Sequence, residues 1–117
     1  MVTADEVRAV AAALPRSSEA FVRGRLKFRV GQIVFLALSP DGSTMGCGFP
    51  KEVREAAIAT EPEKFSWPRE SDLRFNWIHV NLEAIDYEEM CFLVESAWAS
   101  CVPKFVAREY AQAQGYV

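Results

Sequence analysis

Four cations stand at every second position of one segment: Arg23, Arg25, Lys27 and Arg29. In a continuous strand, alternate side chains leave the same face about 6.5 to 7 Å apart, a row suited to the phosphates of a nucleic-acid backbone. Gly24 is a point where the strand can break and send Arg23 elsewhere. An ordinary solvated face is the other reading, with the Arg and Lys stems lying over aliphatic neighbours. A second group, Trp67, Phe75 and Trp77 interleaved with Arg69 and Arg74, offers aromatic planes beside positive charge. Stacking of single-stranded nucleic acid and a small-ligand pocket both use such residues, as does packing beneath an irregular connection. His79 is the sole histidine, which excludes any catalytic or metal scheme that needs two. It shares a strand face with Trp77 and Asn81 and reads most simply as a partly exposed strand residue. The candidates are therefore Arg23, Arg25, Lys27 and Arg29 for nucleic acid, and Trp67, Arg74, Trp77 and His79 for a ligand or a stacked base.

Other reactive types fall into no constellation. The acid pairs Glu61/Glu63 and Glu88/Glu89 lie in a loop and near a helix start, where carboxylates complement the helix dipole. Cys47, Cys91 and Cys101 are odd in number and lack metal-ligand spacing, so free thiols are expected. Glycine-rich phosphate loops, nucleophile elbows and paired-histidine zinc motifs are absent. The expectation is a non-enzymatic binding protein without metal or cofactor, its protein partners unspecified.

The elements that must position these residues follow from periodicity. Thr3 and Glu6 form a capping box ahead of Val7, Val10, Ala11 and Leu14, which predicts a helix over about 4–14. Glu19 to Leu38 reads as strands with turns at Gly24 and Gly31. Gly31-Gln32 separates Leu26–Val30 from Ile33–Leu38 as a two-residue hairpin, which sets Val34, Leu36 and Leu38 across from Arg29, Lys27 and Arg25. Ser39-Pro40-Asp41-Gly42 is a turn leading to a strand at about 44–49. Pro50 opens a helix whose apolar face is Val53, Ala56 and Ala57. Residues 61–72 form an irregular connection, and 75–82 a strand with Ile78, Val80 and Leu82 on one face. Asp86 caps a last helix with the stripe Tyr87, Met90, Cys91, Val94, Ala97, Trp98, Cys101, Val102 and Phe105; Pro103 kinks it or starts another. The order α-β-β-β(-β)-α-β-α makes an α+β, two-layer domain spanning 1–117, an antiparallel sheet with helices on one face.

At 117 residues, half of them apolar, the chain suits one core. No apolar run is long enough to cross a bilayer, and the acidic Asp5-Glu6 start is unlike a signal peptide, so a cytoplasmic protein is expected. The net charge of −3 argues against a surface that is basic throughout. Its distribution is polar: residues 1–54 carry eight basic and five acidic side chains, residues 55–117 five and eleven. Such an imbalance either orients the molecule toward a polyanion or is satisfied internally.

Leu14-Pro15, Leu26-Lys27-Phe28-Arg29-Val30, Glu61-Pro62-Glu63-Lys64-Phe65, Trp77-Ile78-His79-Val80-Asn81-Leu82 and Ala97-Trp98 through Pro103-Lys104 occur in an order that resembles the MmcQ/YjbR family over nearly the whole chain. The resemblance implies a fold similar to the bacterial frataxin homologue and a DNA-binding role of the double-wing kind. It brings no set of functional residues with it. Asn76 stands where many relatives carry a cation, and Gly46-Cys47-Gly48 lacks a lysine seen in some; both reduce the positive charge. Frataxin-like proteins are associated with iron through acidic surfaces, but the first helix here carries only Asp5 and Glu6 near its start.

Overall fold

Thr3 accepts a hydrogen bond from the Glu6 amide at 3.1 Å and donates its own amide to the Glu6 carboxylate at 2.9 Å, so the capping box starts helix α1 (Ala4–Ala12) as the sequence predicts. This is seen in a computed structural model that describes residues 1–116; Val117, the last position of the expected 1–117 domain, lies outside the described residues. Five strands and four helices follow the expected order, with one strand added. They are β1 (Ser17–Val22), β2 (Arg25–Val30), β3 (Ile33–Leu38), β4 (Thr44–Gly48), α2 (Lys51–Thr60), β5 (Phe65–Ser66), β6 (Trp77–Asn81), α3 (Tyr87–Ala99) and α4 (Lys104–Gln114). The strands form one antiparallel sheet in the order β1-β2-β3-β4-β6-β5. The fold is a single α+β domain with the four helices packed against the six-stranded sheet.

Alternation along the strands decides which side is core. Phe28, Leu36, Cys47 and Ile78 are register partners from β2 to β6, and all four are fully buried beneath the helices. Met90, Val94, Ala97 and Trp98 of α3 cover that face, and Trp98 donates its indole N–H to the Pro15 carbonyl at 2.8 Å. Burying such side chains contributes about 1.5 to 3 kcal/mol each, and that is what holds the two layers together. No helix is long and apolar enough to cross a membrane among the described residues.

Three details depart from the sequence expectation. A bulge between Phe28 and Arg29 shifts the β2–β3 register, so Lys27 faces Ala37 and not Leu36, while Arg29 keeps Val34. The inner face of α2 is Arg54, Ala57 and Ile58; Val53 is half exposed and Ala56 exposed. Tyr87 and Phe105, expected in the α3 stripe, are about half exposed, and Leu93 is buried instead. Of the two outcomes expected at Pro103, the second is realised: it caps a separate α4, because it lacks an amide to continue the ladder.

Candidate functional site

The row Ala20, Lys27, Ala37, Gly46, His79 and Ser66 crosses the whole sheet as successive register partners on the face opposite the core. Ala37 and Gly46 occupy its middle. With a methyl and a hydrogen there, the floor of the sheet is low, while longer side chains rise at either side. The result is an open groove of about 700 Å3, with Arg25 and Lys27 of β2 on one wall and Trp77, His79, Arg69 and Asp72 on the other. Gly46 has a second role: a Cβ there would fall 2.6 Å from the Trp77 indole nitrogen, so only glycine lets the indole lie over β4.

Arg25, Lys27 and Arg29 alternate along β2, and none of them forms a salt bridge among the described residues. Arg23 does not join them. It has φ 53° and precedes Gly24 at φ 78°, the paired positive angles of a two-residue turn between β1 and β2. Three of the four cations thus share a face, and the sequence alternative of a break at Gly24 is the one realised. The acidic half of the chain reaches the groove as Asp72, whose carboxylate stands 3.7 Å from Arg69.

His79 is half-buried, and its pKa is lowered first by that burial; Asp72 opposes this as the strongest of the neighbouring charges, while Arg69 and Arg25 add to the lowering. An imidazole pushed toward its neutral form adds hydrogen-bonding nitrogens to a wall whose charges are those of Arg69 and Asp72. Trp67 and Arg74 lie outside the groove. Trp67 packs under the Arg54 guanidinium at 5.2 Å, and Arg74 stacks on Phe75 at 4.7 Å. Of the ligand candidates, the structure brings Trp77 and His79 together in the groove lining, which includes neither Trp67 nor Arg74.

Sequence reasoning missed Arg54, which is nearly buried and donates to the carbonyls of Leu73, Phe75 and Trp77 at 2.8 to 3.0 Å. It fixes the 73–77 segment that carries the groove wall. Its signal was available: Arg54, Ala57 and Ile58 have helical spacing, and a cation on that face needs acceptors. The acids do meet, but around a cation. Lys64 bridges Glu61 at 2.6 Å and Glu89 at 3.0 Å, which ties the connection to the start of α3. Three free cysteines are present, and burial pushes the Cys47 thiol up to about 12, where it is unreactive. Among the described residues, no cluster of three metal-ligating side chains occurs.

The YjbR family model matches residues 12–100, which covers β1 to β6 and all of α3. The chain belongs to the YjbR family. A crystal structure of Deinococcus radiodurans protein DR2400, described as a DUF419 domain, superposes with a TM-score of 0.72 at 21% identity. It covers 84% of this chain and 77% of that one, and at such identity it shows that the YjbR fold is shared. None of the curated proteins compared with this YjbR chain matches it.

Proposed function

We propose that this YjbR domain is a non-enzymatic, cytoplasmic DNA-binding protein that takes single-stranded DNA along its open sheet face. The observation that carries the reading is the row of Arg25, Lys27 and Arg29, free of carboxylate partners among the described residues, with Arg25 and Lys27 lining the groove whose low floor leads toward Trp77. Phosphates would lie along β2. From β2 to β6 is three strand spacings, about 14 Å, and the Trp77 indole leans back over Gly46 to shorten that reach to the scale of one nucleotide. Unpaired bases have free faces for Trp77, whereas a duplex has already stacked its bases inward. Free cysteines fit a reducing compartment.

Fluorescence anisotropy of a labelled oligothymidylate at low salt tests this, with a duplex of equal length alongside. Tighter binding of the single strand is expected, weakened by Trp77→Ala. No binding of either at about 100 μM protein, well above typical non-specific affinities, overturns it. The groove volume also lies within the range of small-ligand sites, which favours an anionic metabolite as the second reading. Thermal stabilisation by mononucleotides, with none by oligonucleotides, would select that reading.

A further inference from the structure

The two edges of the sheet are unequal. β5 is two residues long, but β1 presents six residues in unbroken register with β2 and has no lysine, proline or bulge to blunt it. Natural edges usually carry one of those devices, because unpaired amides and carbonyls recruit another strand. The one charge on β1, Glu19, is already held by Arg8 through two bonds of 2.8 and 2.9 Å. Phe21 and Val22 stand exposed beside it.

The turn fixes which main-chain groups are free. In a two-residue hairpin closed by Val22 and Arg25, those residues exchange hydrogen bonds, and the pairing alternates from there. Ala20 and Ser18 therefore spend their main-chain groups on β2, while Phe21, Glu19 and Ser17 turn theirs outward. The Ser17 amide is satisfied by the Leu14 carbonyl at 3.2 Å; the outward amides and carbonyls of Glu19 and Phe21 have no partner among the described residues.

We infer that β1 pairs antiparallel with β1 of a second copy of this chain, Ala20 opposite Ala20 and Glu19 opposite Phe21. This register uses the free amides and carbonyls of Glu19 and Phe21, forming four hydrogen bonds about a two-fold axis normal to the sheet. Sliding by one pair would set Glu19 against Glu19 and require the occupied Ser17 amide. At the centre the small Ala20 side chains meet without a clash, and each exposed Phe21 covers the Arg8–Glu19 pair of the other copy. The axis keeps both open faces on the same side. The two β2 rows then run antiparallel about 14 Å apart, three strand spacings, on one twelve-stranded sheet.

The pairing is independent of nucleic acid, so it is tested without any. Sedimentation velocity from about 5 to about 500 μM brackets a small interface of the weak, transient class. The wild-type chain is expected to shift from monomer toward dimer. Phe21→Glu, which faces a second carboxylate, and Phe21→Pro, which removes an outward amide the monomer does not use, are expected to stay monomeric. Phe21→Lys faces Glu19 of the other copy and is expected to keep the dimer. Circular dichroism confirms that each variant is folded, as the 74% exposure of Phe21 leads one to expect. A wild-type monomer throughout, or a dimer that survives both Phe21→Glu and Phe21→Pro, overturns the inference. Loss of the dimer in Phe21→Lys overturns the register.

Discussion

Arg54 shows how one side chain positions a site that it does not enter. Its guanidinium serves three carbonyls of the 73–77 segment, where water has little access, and lies over Trp67. Arg54→Ala would strand those acceptors, so unfolding in urea should show a loss of about 3 kcal/mol. Arg54→Lys should recover less than half of that, since an ammonium cannot reproduce the fork. A loss under about 1 kcal/mol would mean that the segment holds itself in place. His79 reports on the same wall. Its folded pKa lies below the ordinary 6.5 because burial and neighbouring cations disfavour the charged ring. The unfolded chain then takes up the proton more readily, so this contribution to stability is full above about pH 6.5 and fades as pH falls toward the folded value. An anion seated between Arg25 and Arg69 would offset the cations, and NMR titration of the single histidine should show its pKa rising when oligothymidylate is added. An unchanged pKa in a saturated complex would place the ligand away from this wall.

Turn chemistry made the hairpins legible. Gly31-Gln32 closes β2 and β3 at Val30 and Ile33 as expected, and Gly24 breaks the basic segment before Arg25. The bulge beside Arg29 was not legible, because one unpaired residue inside an aliphatic run, here around Phe35, leaves no mark on composition. The groove was half legible: the cations and Trp77 announce themselves by type, whereas Ala37 and Gly46 matter only through their register between Lys27 and His79, which is a long-range property. β5 escaped because its two residues pair with β6 from within the irregular connection. Asp41 shows a turn whose strength is readable. Its carboxylate accepts from the Ser43 amide at 3.0 Å and from the Ser39 and Ser43 hydroxyls at 2.8 Å, which holds its pKa down to about 2, from an ordinary 3.8. A depressed carboxyl stabilises the fold fully above about pH 4 and loses that contribution as pH falls toward 2. The wild-type protein should therefore lose more stability than Asp41→Asn between pH 4 and pH 2 in urea titrations; equal losses would show that the turn does not couple to folding.

At the scale of the whole molecule, the net charge of −3 would repel a polyanion, so any attraction has to come from how charge is arranged. The fold gathers the excess of the basic half on one sheet face and sends much of the acidic half elsewhere, Glu61 and Glu89 to Lys64 on the far side of the connection. A face-specific attraction and a bulk one respond differently to the same change in charge. Lys27→Glu and Arg108→Glu each shift the net charge by the same amount, but Lys27 lines the groove and Arg108 is exposed on α4, away from it. Three phosphate contacts on a single strand imply a log-log salt slope of about −2, a loss of roughly 20-fold between 50 and 200 mM salt. Lys27→Glu should flatten that slope by about one contact and weaken binding at every salt concentration, while Arg108→Glu should leave the slope unchanged. If the two variants weaken oligonucleotide binding equally, the sheet face has no special role and the attraction is only that of a charged surface; if neither alters it, β2 is not where the phosphates lie.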